Sequence, residues 1–302
     1  MIAPAYLKIG DSVGFVAPAR SVNRDEVAKA IDVFEQHGLK VVTGKNLFRK
    51  DNQFSGNDAE RASDMQNFID NPKIKAIISV RGGYGSVRTL QGLDFSKFIQ
   101  QPKWIVGYSD VTVFHAYCNN KLQVETLHAP MPFNFGRGNA DWESIESTFD
   151  ILFGNIPNYT FESNILNKQG QSEGILIGGN LSVLYSLRGT PADFNPESKI
   201  LFLEDIDEYL YHIDRMLMNF SYGQQLKGLK AVIVGDMTDM KDNNIPFGKS
   251  AYEIIASLFL PYNIPVCFGF SAGHGQINKP LIMGRNVVLQ VGNICQLSYC
   301  EK

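Results

Sequence analysis

"SVGFVAPARSVNRDEVAKAIDVFEQHGLKVVTG", Ser12 to Gly44, reads as strand, helix, strand. "SVGFVAPA" is a short apolar run. The next segment sets Ala28, Ile31 and Phe34 on one helical face and has Gly38 as its stop, and "KVVTG" is again apolar. Two strands joined through a helix pair most simply in parallel, with the helix laid across the sheet. The pattern recurs. "NDAERASDMQNFIDNP" opens with an Asn or Asp cap and closes before Pro72, and "IKAIISV" has the unbroken β-branched character of a strand covered on both faces. "WIVGY", a helix from near Ser109, "QVETLHAP" and a helix around "DWESIESTFDILFG" complete the first unit. The expectation is an α/β protein of two domains. Residues 1–155 form a mainly parallel, Rossmann-like or flavodoxin-like sheet with helices on both faces.

Residues 156–174 are polar, rich in Asn, Gln and Ser, and without helical period, so they read as a linker. Residues 175–302 then form a smaller α/β domain with a mixed sheet. Its strands are expected at "GILIG", "ILFLED", "AVIVGD", "PVCFGF", "LIMGRNVVLQVG" and "ICQLSY". Between them, "DEYLYHIDRMLMNFSYG" spaces Leu210, Ile213, Leu217 and Phe220 along one helical face, and "GKSAYEIIASLFL" reads as another helix.

Composition narrows the function. A chain of 302 residues with 44% hydrophobic and 20% charged residues has the make-up of a globular protein. Its net charge of -3 gives no basic field for nucleic acid. No apolar run approaches a membrane span, and the first residues lack a basic start with a cleavage site, so a cytoplasmic protein is expected. Cys118, Cys267, Cys295 and Cys300 form no C-x-x-C pair, and the five histidines form no metal-binding pair. Neither a metal nor another cofactor is expected.

Open α/β sheets bind ligands beyond the carboxyl ends of their strands. Three places there could carry chemistry. In "IVGYSDV", Gly107 permits a tight turn that leaves the Ser109 hydroxyl at the sheet edge, as in a nucleophile elbow, although Val111 stands where a second glycine is usual. A serine there is more often a helix cap. In "RGGYGS", Gly82 and Gly83 let bare backbone N–H groups approach a substrate oxygen; a plain strand-to-helix turn explains them equally. Glu204 ends the buried run "KILFL", with Asp205, Asp207 and Glu208 read as capping the next helix. His274, in "GFSAGHGQ", is a loop histidine that alone carries little weight. A serine nucleophile needs a base and the base needs an orienting carboxylate, and Ser109, His274 and Glu204 would supply all three. Of the other histidines, His115 is expected to pack along its helix, His37 to cap one and His212 to lie on a surface, while His128 stays open as a pocket residue.

The ordered set "RGGYGS", "VGYSD", "GGN", "LFLEDIDEYLYHIDRML" and "GFSAGHG" resembles the LD-carboxypeptidase family, which also includes the microcin C immunity proteins. The resemblance covers essentially the whole chain. It implies a two-domain serine peptidase with Ser109 as nucleophile, His274 as general base and acid, and Glu204 orienting the imidazole. The backbone N–H groups of Gly83 and Asp110 are then the oxyanion donors, and Arg81, Gly82 and Tyr84 contact substrate, Arg81 through the peptide carboxylate. The implied substrate is a murein tetrapeptide losing its terminal D-alanine in peptidoglycan recycling. A peptide-nucleotide or an aminoacyl-sulfamoyl adenylate is the alternative within the family, and a homodimer is in keeping with it. A noncatalytic two-domain binder of peptide or sugar is the rival of another class.

Overall fold

The structure, a computed structural model, describes residues 1–300. The chain forms thirteen strands among these residues: β1 (Ser12–Val16), β2 (Lys40–Thr43), β3 (Ile74–Ser79), β4 (Trp104–Gly107), β5 (Thr126–His128), β6 (Tyr159–Glu162), β7 (Gly170–Asn180), β8 (Lys199–Ile206), β9 (Ala231–Thr238), β10 (Val266–Phe268), β11 (Leu281–Met283), β12 (Asn286–Val291) and β13 (Ile294–Tyr299). They build two sheets, one mainly parallel and one mixed. The first runs β11-β5-β4-β3-β1-β2, and its five parallel strands follow the flavodoxin-type order 2-1-3-4-5. The second runs β10-β9-β8-β7-β12-β13-β6.

Alternation along the strands fills both faces of the first sheet. Ala76, Ile78 and Val106 face the helices Asp25–Gln36 and Trp142–Phe153, while Ile77 and Ile105 face the helix Asp58–Asp70 with Met65 and Phe68. The first helix buries Val27, Ala30, Val33 and Phe34. Ala28, expected on that face, is exposed, because the stripe begins one residue earlier. Asn57 and Glu60 close a capping box at the start of Asp58–Asp70. In the second sheet Leu201, Leu203, Val232 and Val234 pack on helices, whereas Ile200, Phe202, Ala231 and Ile233 are covered by side chains of β11, β12 and β13. Helices therefore cover only one face here.

Two segments depart from the sequence reading. The stretch 156–174 holds β6 and the start of β7, because the antiparallel edge β13–β6 pairs through backbone groups that need no apolar period. "LIMGRNVVLQVG" is two strands, split where Gly284 takes φ 91°. β12 stays in the second sheet. β11 crosses to the first, pairing antiparallel with β5 in the register Leu281↔His128.

Three further contacts lock the halves. Val113 and Ala116 of the helix Thr112–Tyr117 sit in the second core. The Asn180 N–H donates to Thr112 Oγ1 at 3.0 Å. Arg285 donates from Nε and Nη2 to buried Glu125 Oε2 at 3.0 and 2.6 Å. The carboxyl ends of β1, β3, β4 and of β7, β8, β9 thereby meet across one cleft.

Candidate active site

The cleft encloses ≈ 600 Å³ and is lined by Ser109, His274, Gly82, Gly83, Asp110 and Arg81, among others. Ser109 follows β4 at φ 64°, a left-handed conformation that costs a non-glycine residue of the order of 1–3 kcal/mol. Gly107 makes the turn possible at φ 151°, where a Cβ would come within 2.9 Å of Val111 Cγ2. Val111, at the place of the usual second glycine, thus fills the space that Gly107 leaves. Ser109 caps nothing: the short 3-10 turn Ser109–Val111 has Tyr108 before it and no side-chain cap.

The hydroxyl instead meets the second half of the chain. His274 Nε2 lies 3.0 Å from Ser109 Oγ, and His274 Nδ1 lies 2.6 Å from Glu204 Oε2. With Nδ1–H donating to the carboxylate, Nε2 is left to accept the serine proton. Glu204 is fully buried and sits where the register of β8 on β9 shifts between Leu203 and Asp205. A bulge of this kind re-aims a side chain next to a site. The chain serine, imidazole, carboxylate can raise a hydroxyl to a nucleophile.

Charge around the imidazole is concentrated. Burial favours neutral His274, but the charge of Glu204 and the hydrogen bond to it, with Asp205 and Asp236 behind, outweigh burial and raise its pKa. Burial, with the Glu204 charge, pushes Asp205 up to about 7 against the hydrogen bonds it accepts from Ile206 N, Asn180 Nδ2 and Ser182 N. Burial likewise pushes Asp236 up to about 6, although Gly275 N–H donates to it at 3.0 Å. Asp236 follows the apolar run of β9 as Glu204 follows that of β8, each two residues before its strand ends, so the same sequence signal marks both.

On the facing wall, a Cβ on Gly82 would stand 3.0 Å from Ser109 Cβ and 3.4 Å from the Asp110 nitrogen. Gly83 takes φ 112°. Among the described residues, neither the Gly83 nor the Asp110 N–H reaches a protein acceptor. The Asp110 carboxylate accepts from Ser86 N–H at 2.8 Å and so pins the glycine loop to the serine turn. Arg81 lines the cleft with its guanidinium 4.1 Å over Phe133, held loosely by Ser21 O at 3.3 Å and Glu26 Oε1 at 3.4 Å. Tyr84 is not brought to the cleft: it is exposed and packs toward Phe54, because the chain turns outward at Gly85.

His115 has a larger part than helix packing. It is buried, with Nε2 2.8 Å from Gly107 O and Nδ1 2.9 Å from Thr126 Oγ1, so it fixes the last carbonyl of β4 under the serine turn. Burial drives its pKa down to about 4, which keeps it neutral. His128 is buried beneath the site, and burial holds its pKa well below the ordinary value. His37 caps its helix and pairs with Glu146, and His212 pairs with Glu208. All four cysteines are free thiols, and three of them are buried. Among the described residues no helix is long and apolar enough to cross a membrane.

With this geometry in hand, the likenesses to known proteins are specific. The Bacillus subtilis protein named "Probable murein peptide carboxypeptidase" is 33% identical over 275 residues, 90% of this chain and 86% of that one. The Escherichia coli protein "Microcin C7 self-immunity protein MccF" is 27% identical, with 96% of this chain and 93% of that one covered. The crystal structure of muramoyltetrapeptide carboxypeptidase from Oxalobacter formigenes superposes with a TM-score of 0.87 at 28% identity, over 96% of this chain and 99% of that one. Residues 13–129 match the LD-carboxypeptidase N-terminal domain and residues 173–289 the LD-carboxypeptidase C-terminal domain, and the chain therefore belongs to the LD-carboxypeptidase family.

Proposed function

We propose that the protein removes the terminal D-alanine from murein tetrapeptides by serine catalysis, in cytoplasmic peptidoglycan recycling. The observation that carries this reading is the continuous hydrogen-bonded series from Ser109 Oγ through the His274 ring to Glu204 Oε2, at 3.0 and 2.6 Å, open to the cleft. His274 Nε2 takes the serine proton as Oγ attacks the scissile carbonyl. The negative oxygen that forms points to the N–H groups of Gly83 and Asp110, which are aimed before the reaction begins. His274 then returns the proton to the departing amine, D-alanine leaves, and water repeats the sequence on the acyl-enzyme. Glu204 holds Nδ1–H and stabilises the imidazolium between the two transfers.

Mass analysis of products after incubation with tetrapeptide, tripeptide and an aminoacyl-sulfamoyl adenylate tests the reading. Release of one alanine from the tetrapeptide alone is expected, and its loss in Ser109→Ala by roughly 10⁶-fold in kcat with the fold retained. Cleavage of the adenylate alone would move the protein to the immunity branch. Binding without cleavage of anything would make it a binder.

A further inference from the structure

Arg137 is a cation at the cleft that the chain leaves uncompensated. Its guanidinium lies 4.3 Å from the centre of the Phe133 ring, which a second arginine, Arg81, approaches to 4.1 Å. Arg81 has Glu26 and a carbonyl to bond, whereas no carboxylate among the described residues pairs with Arg137. Two guanidinium groups stacked about one ring repel each other, and an anion bound between or beside them would relieve that repulsion.

Arg137 also borders a second, smaller space. It lines the catalytic cleft and, with Tyr108, Asn134 and Gly275, also a side pocket of ≈ 50 Å³ that Gly273, Asn278 and Asp141 help to line, the Asp141 carboxylate being already engaged by the N–H groups of Asn278 and Ser144. That volume takes about four groups of water size, the scale of a methyl and a carboxylate. Its position is as informative as its size. The proton that His274 accepts must be handed to the leaving nitrogen, so the departing residue lies on the imidazole side of Ser109, and the side pocket is lined by Gly273 and Gly275, the two neighbours of His274 in the chain. The oxyanion donors, Gly83 and Asp110, stand on the other wall.

We propose that this side pocket is the leaving-residue subsite, and that Arg137 binds the free carboxylate of that residue and so confines cleavage to the last peptide bond. The assignment rests on the serine-hydrolase reading above and moves the carboxylate partner from Arg81 to Arg137. A guanidinium presents a fork of donors that matches a carboxylate through two bonds, and an amide in its place can make neither of them as an anion. A small amino acid, D-alanine or glycine, is the class of leaving group that fits.

The test compares a tetrapeptide ending in D-alanine with the same peptide ending in D-alaninamide, for the natural protein, Arg137→Ala and Arg81→Ala. The natural protein is expected to favour the free acid by about 10- to 100-fold in kcat/KM, the range of a charge-assisted hydrogen-bonded contact. Arg137→Ala should lose that preference by slowing on the acid alone, while Arg81→Ala should keep it. A preference retained in Arg137→Ala overturns the assignment. A second arm needs no murein hydrolysis: saturation-transfer NMR with D-alanine and D-alaninamide. Contact with D-alanine in the natural protein and none in Arg137→Ala supports the subsite even if the tetrapeptide proves not to be the substrate. Equal D-alanine contact in both proteins sinks it. Arg137 is exposed, so the substitution leaves no hole in the core.

Discussion

Ser109 follows the buried parallel strand β4 and Glu204 lies near the carboxyl end of β8, yet the chain aims them by different means. On the β4 side the aiming is done by backbone: Gly107 at φ 151°, Ser109 at 64°, and Gly82 leaving open the space beside the hydroxyl. The carboxylate there, Asp110, is turned to the Ser86 N–H and not to the imidazole. On the β8 side the aiming is done by a shifted register, and what gathers is charge, with Glu204, Asp205 and Asp236 all acting on His274. The first wall sets the shape of the oxyanion site, and the second sets the protonation of the base. Damage to the first should lower turnover equally at every pH, and damage to the second should follow protonation.

The strongest probe of that division is Glu204→Gln. The amide has no charge for the imidazolium, and its NH2 can donate to Nδ1, which turns the wrong tautomer toward Ser109. A fall of about 10⁴-fold in kcat is expected with KM little changed, the scale seen when a triad carboxylate is made an amide. Steady-state kinetics on the tetrapeptide decide it. A loss under tenfold would remove Glu204 from the reaction and leave the second wall without its main element.

Gly82→Ala probes the other wall without touching a charge. Its Cβ would lie 3.2 Å from Ser109 Oγ, in the space between the hydroxyl and the candidate oxyanion donors. Turnover should fall about 10²- to 10³-fold, as when an oxyanion donor is lost, and the pH profile of what remains should be unmoved. A profile that shifts with this substitution would show that the two walls are not separable.

The same contrast explains what the sequence could reveal. Alternation of apolar runs with helical stripes exposes both sheets, and the position of Ser109 and Glu204 after buried apolar runs exposes the site, because the carboxyl edge of a sheet is marked locally where such a run stops. His274 was findable only through its partners, since nothing in "GFSAGHGQ" separates a catalytic loop from an ordinary one. The crossing of β11 into the first sheet was illegible for another reason: a three-residue strand with both faces buried looks the same beside either partner. His115 went unvalued because its bond to Gly107 O joins residues 8 apart through a turn whose geometry only the fold defines. The outward course of Tyr84 toward Phe54 has no local mark either, since it depends on the backbone angles of the glycine turn.

Asp236→Asn is the smallest and most discriminating change. With its pKa near 6, Asp236 is mostly ionised at pH 7 and raises the pKa of His274. Asparagine keeps an oxygen for the Gly275 N–H, so the loop should hold its place while the charge is gone. The imidazolium is then less favoured, and His274 becomes free to act as base at lower pH. The acid limb of kcat/KM should move to lower pH, making the variant faster than the natural protein on that limb and equal to it on the plateau above. Below pH 5 the difference should close again, because Asp236 is itself protonated there. A limb that stays in place would mean that the charge of the second wall reaches His274 through Glu204 alone, and the division between the walls would narrow to one residue on each side.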